Sequence, residues 1–535
     1  MKKIIYIALF LLTTVFLFGC DKNYSFSLDT DVNAVRDSIT VTYTLKDPNK
    51  DLSASEVKAE LTKKEGSKLI STQTLKFDKE NKKGSIKFSN LDSDTTYVIT
   101  IYAGYDGEKV VLATEEVKTL ATGADADTPY EITSVEDFTK IVKEDPKGYY
   151  ILKNDIDFGG TSLDPLFTST NQFLGHFDGN GHKISNYVVG TIKESENVVT
   201  YTKKSIATDY FGLFGYLGID SVVTNLVLEN FQFHATRASS SKTYYGFIAG
   251  YCKGEISNIT VVNSVMNIST TGALSEYHVA SIAGQVAGEG SINNCTVECN
   301  ITVDGKNNVR IGGITASTLT ATTQETVSNC SFKGDIDYIV NNTETKAKDE
   351  TTIYIGGVVG INYLDVKNCS AVGEITLALS YDNPSKSSVV MVGGLVGWNI
   401  GDAAELKDST ADVSINISNK NKVNETAKVY AGLLVGQNGN DFANAYAIVE
   451  NCYVVENATK ASINIAAHDA ADIKYGVIAN NTTIDGSVTN ATTKTEVSVS
   501  AEYYHLDKHE ETNEDGSVTV TEKLTLAKTE TVVLK

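Results

Sequence analysis

The chain has 535 residues, a formal net charge of -21 at pH 7, five prolines and one tryptophan. This excess of carboxylates argues against a nucleic-acid partner and against electrostatic adhesion to anionic lipid. The abundant Thr, Ser, Asn, Val and Gly favour strands and turns over helices, so the composition predicts an all-β protein.

Residues 1–20 begin with a basic pair, continue with an apolar run and end in Leu-Phe-Gly-Cys at Cys20. The apolar run is shorter than a membrane span, and the arrangement is typical of a secretion signal. The Leu-x-Gly-Cys ending resembles the bacterial lipobox, which implies a diacylglyceryl lipid on Cys20. Because two acyl chains anchor a protein stably, we expect a signal peptide at 1–20, a tether at 21–28, and an extracytoplasmic protein that is held on the membrane and exposed at the cell surface.

Residues 29–122 contain short alternating strands, and a small, acidic linker follows at 123–129. Residues 91–97, Leu-Asp-Ser-Asp-Thr-Thr-Tyr, resemble the corner between strands E and F of fibronectin type III domains. In that family a tyrosine at this corner forms a hydrogen bond back to the nearby backbone. The resemblance implies this role for Tyr97 and a β-sandwich that acts as a spacer. The tryptophan usual in the family's second strand is missing, and Tyr43 is the nearest candidate for its place.

Residues 130–189 are expected to close the N-terminal end of a repeat structure, whose unpaired strand edge needs protection. Ser134 with an acidic residue three positions later is a helix-capping pattern. Phe138, Ile141 and Val142 give that helix one apolar face. We therefore predict a cap with a short helix that merges into the first repeat, followed by a polar surface loop at 190–209.

Residues 190–500 repeat a unit made of a glycine-rich strand, an asparagine-containing strand and a third strand. The asparagine position returns about every 33 to 43 residues, a period typical of solenoids. The glycine strands, such as Gly-Gly-Leu-Val-Gly at 393–397, resemble the GLUG repeat of bacterial surface proteins, and the resemblance covers about residues 128–500. It implies a right-handed parallel β-helix. The repeated position is occupied by Asn186, Asn225, Asn258, Asn294, Asn329, Asn368, Asp408, Asn451 and Asn490.

A unit of this kind cannot bury its apolar face alone, so the next unit must cover it. Strands in register lie about 4.8 Å apart, which lets the repeated asparagines form an internal ladder of hydrogen bonds. Four of the repeated asparagines are followed by a cysteine, and Leu226, Ile259, Ser409 and Ala491 take the same place in other repeats. This exchange indicates a small and mostly buried position, so we predict the cysteines to be buried free thiols. A disulfide between neighbouring repeats and a zinc site without histidine are the alternatives. The cysteines concerned are Cys252, Cys295, Cys299, Cys330, Cys369 and Cys452.

Residues 501–535 leave the repeat. The stretch Asn-Glu-Asp-Gly at 513–516 is a turn signal between two strand patterns. We predict a hairpin that caps the C-terminal end of the repeats.

The catalytic patterns in the sequence are incomplete. The stretch His-Glu-Glu-Thr-Asn at 509–513 has asparagine where a zinc protease needs its second histidine. Asp365 and Glu405 occupy equivalent positions in neighbouring repeats, at a separation that suits a retaining glycosidase. Lys367 and Lys407 share their strand face, which indicates solvated ion pairs. We therefore expect no enzyme activity, cofactor or metal, and keep a polysaccharide lyase or glycosidase as an alternative.

A column of aromatic and amide residues follows the glycine strands. Large exposed aromatic side chains mark recognition surfaces, so the column predicts a stripe that binds a glycan or a ligand on a host or neighbouring cell. Adhesion or recognition is the leading function, and a glycan-degrading enzyme and a purely structural envelope stalk are the other classes. The predicted ligand-binding residues are Tyr216, Tyr251, Asn362, Tyr363, Trp398, Asn399 and Asn438.

Overall fold

The structure is a computed structural model that describes residues 26–534 with internal gaps. Cys20 and the predicted signal peptide lie outside the described residues. The described part is all-β, which confirms the predicted class. None of its helices is long and apolar enough to cross a bilayer. The gaps are 35–37, 49–51, 53–56, 79–81, 106–107, 196–197, 239–240, 272–275, 306–307, 320–324, 343–349, 382–386, 402–403, 420–426, 441–446, 456–460, 469–470, 483–486, 494–496 and 513–517.

The chain divides into two compact units, the first ending at Thr128 and the second beginning at Pro129. The first unit has one antiparallel sheet of three strands and one of four, which share one apolar core. Tyr97 is buried, and its hydroxyl oxygen accepts a hydrogen bond from the Asp92 backbone N–H at 2.9 Å. The strands are Ser27–Ala34 (β1), Ser38–Lys46 (β2), Val57–Lys63 (β3), Lys68–Thr74 (β4), Lys83–Ser89 (β5), Thr96–Tyr105 (β6) and Glu108–Lys118 (β7), with a 3₁₀ turn at Glu65–Ser67.

The second unit begins with a short helix and the strands that precede the repeats. Its short helix spans Val135–Asp137 (α1) and continues as a π-helical turn at Phe138–Val142. The Ser134 hydroxyl accepts a hydrogen bond from the Asp137 N–H, and the Asp137 carboxylate accepts one from the Ser134 N–H. Strands here are Tyr130–Ile132 (β8), Tyr149–Leu152 (β9), Ile156–Thr161 (β10), His176–Asp178 (β11), Lys183–Val189 (β12), Thr191–Ser195 (β13), Val198–Thr202 (β14) and Lys204–Ser205 (β15).

The repeats follow. Their strands are Tyr210–Phe211 (β16), Gly215–Leu217 (β17), Val222–Glu229 (β18), Gln232–Arg237 (β19), Thr243–Tyr245 (β20), Ala249–Cys252 (β21), Glu255–Thr270 (β22), Glu276–Ala280 (β23), Ala283–Ala287 (β24), Ser291–Asn293 (β25), Thr296–Gly305 (β26), Asn308–Gly312 (β27), Thr315–Leu319 (β28), Glu325–Ser328 (β29), Ser331–Lys333 (β30), Ile336–Asn342 (β31), Glu350–Gly356 (β32), Val359–Asn362 (β33), Asp365–Lys367 (β34), Ser370–Tyr381 (β35), Ser387–Gly393 (β36), Val396–Asn399 (β37), Glu405–Lys407 (β38), Thr410–Asn419 (β39), Lys428–Asn438 (β40), Ile448–Glu450 (β41), Tyr453–Val454 (β42), Ser462–His468 (β43), Asp472–Asn481 (β44), Val488–Thr489 (β45), Thr492–Thr493 (β46), Val497–Thr512 (β47) and Val518–Leu534 (β48).

Each repeat strand pairs in parallel with the equivalent strand of the next repeat. Ile353 of β32 lies opposite Val390 of β36, which in turn lies opposite Val429 of β40. The glycine-rich strands form one sheet, and the asparagine-containing and third strands form another. The last two strands, β47 and β48, pair with each other as an antiparallel hairpin.

The core of the second unit runs along the repeats because inward and outward residues alternate. In β39, Ile415 and Ile417 are buried and Asn416 between them is half-exposed. β43 repeats the pattern with Ile463 and Ile465. Because burying one such side chain contributes about 1.5–3 kcal/mol, each repeat gains stability from the neighbour that covers it.

The segment 190–209, predicted to be a loop, contains a β-hairpin. Strands β13 and β14 pair antiparallel, from Thr191 opposite Thr202 to Ser195 opposite Val198. β15 then joins the third-strand sheet by pairing in parallel with β19. The interruption of the repeat is therefore an inserted structural element.

Candidate functional site

The repeated asparagine position lies at a turn in which the backbone φ is positive. All nine residues have φ between 51° and 55°, a conformation that asparagine and aspartate tolerate better than most residues. Their side chains connect neighbouring repeats: Asn258 Nδ2 donates to Asn225 Oδ1 at 3.1 Å, and Asn294 Nδ2 donates to Asn258 Oδ1 at 2.6 Å. We call this column the outer row; it consists of Asn186, Asn225, Asn258, Asn294, Asn329, Asn368, Asp408, Asn451 and Asn490.

The structure places the outer row at the surface, whereas the sequence predicted an internal ladder. Asn368 is exposed, while Val366 and Cys369 on either side of the turn are buried. The left-handed turn interrupts the strand alternation, so two successive residues lie outside. The row is also broken at Asp408, whose carboxylate accepts from Asn451 Nδ2 at 3.2 Å but has no hydrogen to donate when ionised.

The cysteines after the outer row lie in the core. All six cysteines of the described residues are free and buried. Cys369 Sγ donates to the Lys367 carbonyl at 3.2 Å, and burial raises the pKa of Cys252 to about 12. Because the thiolate is the reactive form of cysteine, these side chains act as small apolar residues.

Three of the predicted ligand-binding residues form a second amide column in the interior. Asn362 Nδ2 donates to Asn399 Oδ1 at 2.9 Å, Asn399 Nδ2 to Asn438 Oδ1 at 2.8 Å, and Asn438 Nδ2 to Asn481 Oδ1 at 2.9 Å. Thr318 Oγ1 also donates to Asn362 Oδ1 at 2.9 Å. We call this column the inner row. Asn362, Asn399 and Asn438 have no exposed surface, so they are not accessible to a ligand.

Predicted aromatic residues lie in one column along the repeats, and other side chains pack against this column. Tyr216 pairs with Tyr251 on the next repeat, and the column continues to Trp398. A second column, on the strand before the glycine bend, packs against the first. The Tyr210 ring meets Tyr216 at 5.0 Å between centroids, and Tyr354 meets Trp398 at 5.2 Å. The aromatic rings are therefore largely occupied by contacts with one another.

The remaining aromatic positions show the same packing. Trp398 Nε1 donates to the Gly439 carbonyl at 2.8 Å. Tyr363 and Trp398 both pack against a cluster that includes Tyr354 and Met391, which are at most 7% exposed. This arrangement leaves Tyr363 and Trp398 partly exposed, whereas Tyr216 is buried.

A buried polar network lies between the cluster that contains Tyr216 and the cluster that contains Trp398. His278 Nδ1 is 2.9 Å from Ser317 Oγ, and its Nε2 is 2.7 Å from Glu276 Oε1. Burial lowers the pKa of His278 to about 4, although Glu276 opposes this shift. Burial would raise the pKa of Glu276, but the His278 hydrogen bond and the charges of Arg310 and Lys242 lower it to about 2. Ser317 and His278 have no exposed surface, so this triad-like arrangement is closed to a substrate.

The stacked carboxylates form an ion-pair patch. Asp365 lies opposite Glu405 on the neighbouring repeat. Lys407 Nζ is 2.6 Å from Glu405 Oε2 and 3.8 Å from Glu450 Oε2, and the Glu405 hydrogen bond raises the pKa of Lys407. Lys407 therefore pairs with carboxylates of its own repeat and of the next one.

The third strands of the repeats present an accessible polar surface that the sequence analysis did not select. Outward residues of successive strands lie opposite one another in parallel register. We call this surface the open face; its central column is His234, Asn267, Thr302, Asp337, Thr376, Asn416, Asn464 and Ser500.

Side chains of the open face are held in fixed positions by hydrogen bonds along the column. Asn464 Nδ2 donates to Asn416 Oδ1 at 2.7 Å, and Asn416 Nδ2 donates to Glu374 Oε1 at 2.6 Å. Thr376 Oγ1 donates to the same Glu374 oxygen at 3.1 Å. A shallow groove of about 400 Å³ runs over Thr376, Asn416 and Asn464 and is flanked by small side chains such as Ala466. The surface therefore offers ordered donors and acceptors at strand spacing.

Carboxylates gather at the middle of the open face. Desolvation raises the pKa of Asp337, and the neighbouring charges of Asp335 and Glu374 raise it further. Asp335 accepts a hydrogen bond from the Glu374 backbone N–H at 3.0 Å. The open face is thus polar and acidic.

The signal for the open face is present in the sequence as a period of two. Ser-Ile-Asn-Ile at 414–417 and at 462–465 alternates polar and apolar residues. This alternation predicts a half-buried strand, but it does not tell which polar rows stay open. That depends on which other elements pack against them.

Comparison with family models identifies one stretch of the repeats. Residues 351–376 match the model described as the GLUG motif. This stretch carries Asn362 of the inner row and Asn368 of the outer row. A comparison with curated proteins finds no match.

Proposed function

We propose that this chain is a recognition protein that binds glycan along the open face. The supporting observation is the row from Thr376 through Asn416 to Asn464, whose oriented amides and hydroxyl lie on an exposed, shallow groove. Polymers of sugars carry hydroxyls at regular intervals, so a row of donors and acceptors suits them. Polar groups that are already ordered bind with a smaller entropic cost.

The proposal includes the finer features of the fold. We infer a right-handed parallel β-helix for the second unit, supported by the parallel register from repeat to repeat. We infer a fibronectin type III-like sandwich for the first unit, supported by the hydrogen bond between Asp92 N and the Tyr97 hydroxyl. Lipid attachment at Cys20 completes the proposal, with the glycan face held outside the cell. The lipobox-like ending of residues 17–20 supports that attachment.

The test is binding of the purified protein to a panel of soluble polysaccharides. We expect one class of glycan to be retained, and the double variant Asn416→Ala/Asn464→Ala to weaken that binding about tenfold, since each lost hydrogen bond contributes about 0.5–1.5 kcal/mol. Asn294→Gly in the outer row is the matched control and should bind as the original protein does. Retention of no glycan, or equal binding by the double variant, would contradict the proposal.

The same assay separates the other two classes of function. Release of new reducing ends during the incubation would identify a glycan-degrading enzyme. Absence of both retention and release would favour a structural envelope stalk. Loss of binding in Trp398→Ala, with normal binding in the Asn416→Ala/Asn464→Ala variant, would assign the binding site to the aromatic column instead.

A further inference from the structure

The inserted hairpin of β13 and β14 lies over one end of the open face. The Tyr201 ring stacks on the His234 imidazole, with centroids 4.1 Å apart and planes inclined by 21°. Lys203, just after β14, donates from Nζ to Ser269 Oγ at 2.7 Å and also pairs with Asp304. His234 is consequently fully buried although it belongs to the outward column. The open face is therefore closed at its first position.

The central column is accessible beyond this end. Asn267, Thr302 and Asp337 are half-exposed, and Asn464 is exposed. The column therefore has one closed end, at His234, and an accessible surface that extends toward Ser500. A linear ligand lying along it would meet the hairpin with one of its ends.

Tyr201 offers an apolar surface at the closed end. The imidazole of His234 stacks on the ring, yet 45% of Tyr201 remains exposed. Aromatic rings supply a large, rigid contact area with a polar tip, which suits the mixed apolar and hydroxylated surface of a sugar ring. The stacked imidazole fixes the position of the tyrosine before any ligand arrives.

The charges of the open face restrict the kind of sugar. Asp337 lies in the central column with the charges of Asp335 and Glu374 beside it, and Lys203 is already paired with Asp304. The central column contains neither lysine nor arginine. Like charges close together repel, so a polymer of uronic acids or sulfated sugars would be disfavoured. Neutral sugars and amino sugars fit this surface.

We propose that Tyr201 forms an end-wall subsite that stacks on the terminal sugar of a neutral or amino-substituted glycan chain. This inference rests on the proposed function, since it assigns the end of the same binding surface. Tyr201 contacts the end of the glycan chain, while Thr376, Asn416 and Asn464 bind the sugars further along it.

The experiment measures affinity by calorimetry for a neutral glucan hexasaccharide, a glucosamine hexasaccharide and polygalacturonate. We expect at least one hexasaccharide to bind, polygalacturonate to bind at least tenfold more weakly, and Tyr201→Ala to weaken hexasaccharide binding at least fivefold. Tyr201→Phe keeps the ring and should stay within twofold of the original protein. Because Tyr201 lies on an inserted hairpin and outside the buried core, an unchanged circular dichroism melt is expected for both variants.

The outcomes separate the two proposals. Hexasaccharide binding that needs Asn416 and Asn464 but is unchanged in Tyr201→Ala overturns the end-wall subsite and leaves glycan recognition intact. Equal losses in Tyr201→Ala and Tyr201→Phe overturn the stacking role. Polygalacturonate binding as tight as that of the hexasaccharides overturns the restriction by charge. Absence of binding to all three probes overturns both the subsite and the proposed function.

Discussion

Asparagine has two different roles in this repeat, and the backbone conformation decides which one. At Asn368 the positive φ places the side chain outside, where it bridges to Asn329 at 3.2 Å. At Asn399 the residue is fully buried and its amide both accepts and donates within the inner row. The outer residue is needed for the turn, whereas the inner residue is needed for its hydrogen bonds.

Replacing Asn399 by leucine should be strongly destabilising. The change removes the acceptor of Asn362 Nδ2 and the donor to Asn438 Oδ1, so buried polar groups lose partners at a cost of about 1–3 kcal/mol each. We expect the free energy of unfolding of the repeat unit to fall by about 3 kcal/mol or more in denaturant titrations. The control Asn368→Gly preserves the left-handed turn and should cost less than about 1 kcal/mol. Similar losses in both variants would contradict the distinction between the rows.

The buried His278 should make stability depend on pH. Its folded pKa is about 4, below the value of about 6.5 for an unfolded histidine, so the unfolded chain takes up a proton first. Stability should therefore decrease by about 2–3 kcal/mol as the pH falls from about 6.5 to about 4. Glu276, with a lowered pKa of about 2, should extend the loss to still lower pH. Burial also lowers the pKa of His234 to about 4, so thermal melts of His278→Gln should show a smaller loss over this pH range than the original protein. An unchanged profile would contradict the contribution of His278.

Among the strands, the glycine-rich ones are the easiest to predict from the sequence. Gly356, Gly393, Gly432 and Gly476 lie in one column because the spacing of the repeats brings them into register. The hairpin of β13 and β14 could not be predicted in the same way, since it occurs once and has no period. Its position over His234 depends on contacts between distant parts of the chain.

Alanine in the glycine column should have effects that depend on the neighbouring backbone. A Cβ at Gly393 would lie 1.9 Å from the Val396 carbonyl oxygen, whereas at Gly476 the nearest atom, the Ile478 carbonyl oxygen, is 3.2 Å away. Backbone cannot move aside as a flexible side chain can, so Gly393→Ala should cost about 3 kcal/mol. Gly476→Ala should cost less than about 1 kcal/mol. Thermal shifts of the two variants measure the difference, and equal shifts would refute the role of close packing.

At the scale of the whole molecule, the sequence predicts architecture better than it predicts the candidate site. The all-β class and the repeat follow from composition and spacing, because both depend on local preferences and on stacking of similar units. Three of the seven predicted ligand-binding residues, Asn362, Asn399 and Asn438, lie in the interior. Sequence periodicity identifies columns, but the folding of one strand against the next decides which columns solvent reaches.

The two amide rows have opposite electrical polarity. In the inner row each Nδ2 points to the following repeat, from Asn362 to Asn399 and on to Asn438. In the outer row each Nδ2 points to the preceding repeat, as from Asn294 to Asn258. Amide dipoles aligned head to tail strengthen one another within a row, while the two opposed rows partly offset each other in the repeats that carry both. Lengthening the stack by further repeats would thus add cooperative hydrogen bonds without building a large net dipole along it.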